Sequence, residues 1–135
     1  MNKPFSWAVR VYYEDTDAGG VVFYANYLKY LERARTEYLR ALGYEQDELM
    51  TQAGVIFAVR SLQIEYIKSA RFNQMVQVSA KIKDIKKASL EFAQQITHDG
   101  QLLVTADVCI ACLDVDTMKP KAIPDYLLEQ LKHEY

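Results

Sequence analysis

The stretch YYEDTDAGGVVFYANY, residues 12–27, packs Glu14, Asp15 and Asp17 ahead of two glycines and a run of apolar and aromatic side chains. A surface turn uses acids and glycines, yet it does not need Val21, Val22, Phe23 and Tyr24 directly behind them. The mixture predicts a charged group held against an apolar wall. A helix starting just beyond would present unpaired N–H groups and a partial positive charge, both suited to an oxyanion. The amides of Val22, Phe23, Tyr24 and Ala25 are the candidates. Gly19 and Gly20 lack Cβ atoms, so the chain can fold tightly and a bound molecule can approach the backbone. Asp17 precedes the helix by a few residues. A carboxylate there can act as nucleophile or general base on a carbonyl whose oxygen rests on those amides. The competing reading is capping, in which Asp15 or Asp17 only closes the turn or the helix, a role worth ~1 kcal/mol.

Neighbouring residues divide the same way. Asn26 either caps the helix or orients a ligand group. Tyr24 offers an amide, a phenol or a pocket wall; a phenol is a poor base at neutral pH, so the amide role is preferred. Tyr27 and Tyr30 read as packing residues. Glu32, Arg33 and Arg35 read as solvated or interface charges as readily as functional ones. The acids lack the alternating ligands and distal Glu of a calcium loop, and no Gly-Lys-Ser/Thr follows the glycines to make a phosphate loop.

These residues need elements to hold them. Residues 6–13, SWAVRVYY, are β-branched and aromatic and predict a strand. From residue 24 or 26 to residue 42, Tyr27, Leu31, Ala34 and Tyr38 recur on one face of a long helix, with Arg33 and Glu37 spaced as an i,i+4 pair on the other. Gly43 is a natural stop. A shorter helix over 45–53 ends at Gly54. Residues 55–67 alternate but change phase near Arg60 and Ser61, which predicts a bulge. Val76, Val78, Ala80 and Ile82 share a face of the next strand, 75–84. Leu90, Phe92 and Ile96 mark another, and THDG turns into a last strand over 102–113. Its face Leu102, Val104, Ala106, Val108, Ile110 and Cys112 is wholly apolar. Pro124 suits the first position of a short terminal helix. One strand, a long helix and a run of antiparallel strands make an α+β chain, with a curved sheet packed on a central helix.

The 135 residues predict one domain spanning 1–135. A net charge of −2 argues against nucleic-acid binding, and no apolar run reaches the ~20 residues of a membrane span. The opening MNKPFSW has no apolar leader segment, which predicts no secretory signal. Cys109 and Cys112 spell C-x-x-C on a predicted strand, where residues three apart point to opposite faces. They read as reduced core thiols in a cytoplasmic protein, and His98 and His133 lie too far away in sequence to complete a zinc site. No metal is expected.

The run VRVYYEDTDAGGVVFYANYLKYLERARTEYLRALG, residues 9–43, closely resembles the YbgC-type, Tol-Pal-associated acyl-CoA thioesterases of the hotdog superfamily. The similarity continues through FAVRSLQIEYIKSARFNQ and CLDVDTMKPKAIP. The resemblance implies a hotdog fold, a long helix wrapped by a curved five-stranded antiparallel sheet. It implies homodimers joined through their sheets, often paired into homotetramers, with sites at subunit interfaces. It carries the family's catalytic carboxylate onto Asp17, and the activity it implies is hydrolysis of acyl-CoA to free acid and CoA without a cofactor. Gly20, Tyr24 and Asn26 would then position substrate, and Arg60, Lys68 and Arg71 would meet the CoA phosphates or stand as exposed strand-end charges. Acyl carrier protein or lipid-synthesis enzymes are the implied partners. Many YbgC-type sequences carry histidine where this chain has Tyr24; the related 4-hydroxybenzoyl-CoA thioesterases have tyrosine. Two rivals remain. A hotdog hydratase would need a histidine near the acid, and a non-catalytic acyl-thioester binding module would gain little from a desolvated carboxylate.

Overall fold

The computed structural model describes residues 5–135. The leader expectation falls largely on residues 1–4, outside the described residues. Five antiparallel strands, β1 (Phe5–Arg10), β2 (Val55–Tyr66), β3 (Met75–Ile85), β4 (Ser89–His98) and β5 (Gln101–Asp114), form one sheet in the order β1-β3-β4-β5-β2. Helix α1 (Asn26–Ala41) packs on one face. Val78, Phe92, Ile96 and Val108 of the sheet and Tyr30, Leu31 and Ala34 of the helix belong to one buried apolar cluster. Burial alternates along β3, β4 and most of β5 as the pleat requires, and the apolar set of β3 is buried as its spacing predicts, while the edge strands β1 and β2 are largely exposed. The β2 phase change is a bulge, because pairing with β5 slips between Val59 and Ser61. A second slip, between Ile96 and Thr97, buries Leu103 as well as Val104.

A buried strut joins helix to sheet. Gln94 of β4 donates to the Leu31 and Ser79 carbonyls (3.1 Å each) and accepts from Arg35 (3.0 Å). Of the readings open for Arg35, burial removes the solvated helix charge. Burial lowers the pKa of its guanidinium, with Glu32 opposing that shift. The expected Arg33–Glu37 pair is replaced by Glu37 pairing with Arg40, which also holds Glu45 at 2.9 Å.

Element ends differ from the sequence reading where tertiary bonds intervene. β1 stops at Arg10, three residues early, because the Tyr12 N–H goes to the Asp15 carboxylate (2.8 Å) and residues 13–15 form a 3₁₀ turn. The second helix is one α-turn, α2 (Gln46–Glu48), followed by a π-turn (Leu49–Ala53) that Gly54 closes at φ +67°. Pro124 sits one position outside helix α3 (Asp125–Glu134), as its cap residue. Gly43 ends α1 at φ +97°, where a side chain would be strained.

Candidate active site

The acidic stretch folds into a small hairpin at the doorstep of α1. Thr16 bridges Val22, and the Asp17 N–H donates to the Val21 carbonyl (2.9 Å). The tip is a tight turn in which the Gly20 N–H donates to the Asp17 carbonyl (3.0 Å). The two glycines answer different needs. Gly20 has φ +79°, and a Cβ on Gly19 would sit 3.3 Å from Asp17 Oδ1. The Gly19 N–H donates to that same oxygen at 2.8 Å, which fixes the carboxylate against the turn.

The apolar wall belongs to Asp15, not to Asp17. Asp15 is 9% exposed; its carboxylate accepts from the Tyr12 N–H and from Asn26 Nδ2 (3.2 Å), and its carbonyl accepts from the Phe23 N–H (2.9 Å). One acid thus ties the end of β1, the hairpin root and the first turn of α1 together. Asp17 is exposed in the single chain, correcting the expectation of a desolvated acid. Asn26 is also corrected: it lies inside the helix, behind the cap residue Ala25, and its buried side chain is engaged with Asp15 rather than with open space.

The four expected oxyanion amides split in half. The Val22 N–H is taken by the Ala70 carbonyl (2.9 Å) and that of Phe23 by Asp15. The Tyr24 and Ala25 amides have no acceptor among the described residues, so the anion-binding capacity rests on these two. The Tyr24 ring is exposed and packs edge-on to Tyr66 (centroids 6.1 Å apart) and against Phe23 (4.9 Å). Tyr27 completes this aromatic floor, and its hydroxyl oxygen accepts from the Ala70 N–H at 2.9 Å. Burial raises the Tyr27 pKa above the ordinary phenol range, and Tyr66 and Asp17 add to the rise while the Ala70 amide opposes it. The buried Tyr30 hydroxyl has no well-formed hydrogen bond; burial first, then the nearby Asp15, push its pKa up.

Three cations were expected near the phosphates of a ligand. Arg71 bridges Val21 and so adjoins the hairpin, while Lys68 follows β2 and reaches Gln101 (3.1 Å). Arg60 stands apart. It occupies the β2 bulge beside Asp84, Glu91 and Cys109, and the six strand residues to Tyr66 span roughly 20 Å. His98 is held by the Met75 carbonyl (3.0 Å) and Asp99 (3.3 Å), and no hydrogen bond joins either histidine to the hairpin among the described residues. Cys112 is buried and its thiol is pushed up to about 11 by burial; Cys109 is half-buried on the other face, and both are free. Sequence reasoning missed Ala70 and Tyr66, which reach the site only through pairing of distant segments. An aromatic residue ending a strand was the only signal for Tyr66.

This arrangement resembles known proteins along nearly its whole length. The thioesterase-like superfamily profile matches residues 11–131. An acyl-CoA thioesterase YbgC from Haemophilus influenzae is 41% identical over 133 residues, covering 98% of each chain. An acyl-CoA thioester hydrolase YbgC from Escherichia coli is 43% identical over 129 residues, covering 95% of this chain and 96% of its own. Among solved structures, a probable thioesterase from Bartonella henselae superposes with a TM-score of 0.87 at 33% identity, covering 90% of this chain and 100% of that one. With the sheet order, the central helix and the similarity all in agreement, the chain belongs to the thioesterase-like superfamily, among the YbgC acyl-CoA thioesterases.

Proposed function

We propose that this protein hydrolyses acyl-CoA thioesters to a free acid and CoA, with Asp17 as the catalytic carboxylate. The observation that carries the reading is one short hairpin that fixes the Asp17 carboxylate at a glycine turn and leads directly into the start of α1, where the Tyr24 and Ala25 amides have no acceptor among the described residues. A thioester carbonyl whose oxygen accepts from those amides becomes more electrophilic as its oxygen gains negative charge. Asp17 then either adds to the carbonyl carbon or takes a proton from a water that adds there. The C–S bond breaks and the thiolate leaves to be protonated; where Asp17 itself adds, water then cleaves the resulting anhydride, which releases the acid and restores the carboxylate. The chemistry is proposed to need no metal or cofactor, since CoA belongs to the substrate. Arg71, adjoining the hairpin, and Lys68 are the cations proposed to meet its phosphates.

One chain supplies only one wall of such a site, and the second is proposed to come from another copy. The free edge β2 is long and carries exposed Val59, Leu62 and Tyr66, a surface that favours pairing with a further strand. A homodimer through β2, or a homotetramer of two such dimers, is the proposed assembly. No helix among the described residues is long and apolar enough to cross a membrane. A cytoplasmic location is supported by the two unpaired cysteines. Family resemblance supports a role beside the Tol-Pal system, and acyl carrier protein or lipid-synthesis enzymes as partners.

The exposure of Asp17 in the single chain favours one alternative, a non-catalytic module that binds acyl thioesters. Thiol release from a panel of aliphatic and aromatic acyl-CoAs, and from an acyl carrier protein thioester, separates the two. Turnover of at least one donor is expected. Binding without turnover across the panel overturns the hydrolytic reading.

A further inference from the structure

The two sides of the edge strand β2 differ in kind. Val59, Leu62 and Tyr66 stand opposite the buried Ile110, Val108 and Val104 of β5, so they face the core side of the sheet. They are nevertheless 49%, 38% and 46% exposed, so the chain itself leaves that apolar strip uncovered. The other side carries Ser61, Gln63 and Glu65, all exposed, opposite Cys109, Asp107 and Thr105. Arg60, the extra residue of the bulge, lines a hollow with Ser61 and Cys109 and so belongs to this polar side. Asp84 and Glu91 line the same hollow, and Lys81 and Asp107 line one with Glu65. Neither Arg60 nor Glu65 forms an ion pair among the described residues.

We propose that two copies join their β2 edges about a two-fold axis at Gln63, with Arg60 of each copy facing Glu65 of the other. The inference rests on the β2 homodimer proposed above and fixes its register. Directly opposite residues of an antiparallel pair share a face, so the axis passes beside one residue and its own counterpart. An axis at Gln63 sets Leu62 against Ile64, Ser61 and Arg60 against Glu65, and Val59 against Tyr66. Apolar then faces apolar, and each charge meets its opposite. An axis at Leu62 leaves Glu65 facing Ala58, and one at Ile64 sets Arg60 beside Ile67. An axis at Ser61 brings the two Arg60 side chains together, which is unfavourable. The Gln63 register also lays Val59 of one copy on Tyr66 of the other. The aromatic floor that Tyr66 shares with Tyr24 is thereby closed by the second copy.

Single cysteines on the polar side test the register, in full-length protein carrying Cys109→Ser so that no native thiol shares that face; Cys112 is buried. At the axis the two residue-63 Cβ atoms stand about 5 Å apart, close enough for a disulfide after a small shift. Gln63→Cys is expected to give a covalent dimer on mild oxidation, and Ser61→Cys and Glu65→Cys to stay unlinked. Linkage at 61 or 65 in place of 63 overturns the register and leaves the dimer standing. Sedimentation of the unmodified protein as a monomer overturns both. Charge exchange is the second measurement. Arg60→Glu or Glu65→Arg alone should raise the dimer dissociation constant ~10-fold or more, because like charges then face each other twice. The double exchange should return it to within ~3-fold of the unmodified value. A double variant no tighter than either single one overturns the Arg60–Glu65 pairing. None of these readouts depends on turnover.

Discussion

Two acids two residues apart in one hairpin meet opposite surroundings. At the root, Asp15 is buried and spends its carboxylate on Tyr12 and Asn26. At the tip, Asp17 is exposed and its carboxylate has a single hydrogen bond among the described residues, from the Gly19 N–H of its own turn. The root is thus committed to holding three segments in place, and the tip is left with an oxygen free for other work. A side chain with every lone pair engaged is a poor reagent, and one with none engaged is poorly aimed. Asp17 stands between those limits.

Substitutions break this comparison at either end. Asp17→Asn should lower thioester turnover by ~10²-fold or more, the scale of losing a general base, while leaving the melting temperature within error. Unchanged turnover would move the chemistry elsewhere. Asp15→Ala should do the reverse in kind: it strands two donors and should cost ~2–4 kcal/mol of stability by denaturant unfolding, with activity falling because the hairpin loosens. A fully stable variant would show that the root is not an anchor. Gly20→Ala forces a side chain into the left-handed region and should cost ~1 kcal/mol, read from the same unfolding curves. Smallest of all, Tyr30→Phe removes a buried hydroxyl without a well-formed partner and should be neutral or slightly stabilising. A clear loss of stability there would reveal a real bond to Asp15.

Much of this frame was legible from local pattern. The strands announce themselves by alternation, and the phase change at Arg60–Ser61 is the bulge itself. The face of α1 follows from Tyr27, Leu31, Ala34 and Tyr38. What stayed hidden depends on partners far away in the chain. Nothing near Arg35 reveals that Gln94, 59 positions later, will meet it under the helix. Spacing alone placed Asp15 and Asp17 on equal terms, because the choice between them rests on Asn26, eleven positions beyond Asp15. The early end of β1 has the same origin. For the amides, sequence supplied four candidates, and pairing with Ala70 and Asp15 withdrew two.

Ala70 has a consequence for how such chains can vary. Its carbonyl accepts from Val22 and its N–H donates to the Tyr27 hydroxyl, and the residue is fully buried. Both peptide groups of one small residue are therefore clasped, one by the segment behind the hairpin and one by the helix. The connection between β2 and β3 acts as a ruler: adding or deleting a residue ahead of Ala70 would change where Val22 is fastened, and with it the reach of the turn. Length in that connection should tolerate less change than length in the β4–β5 turn, which touches neither.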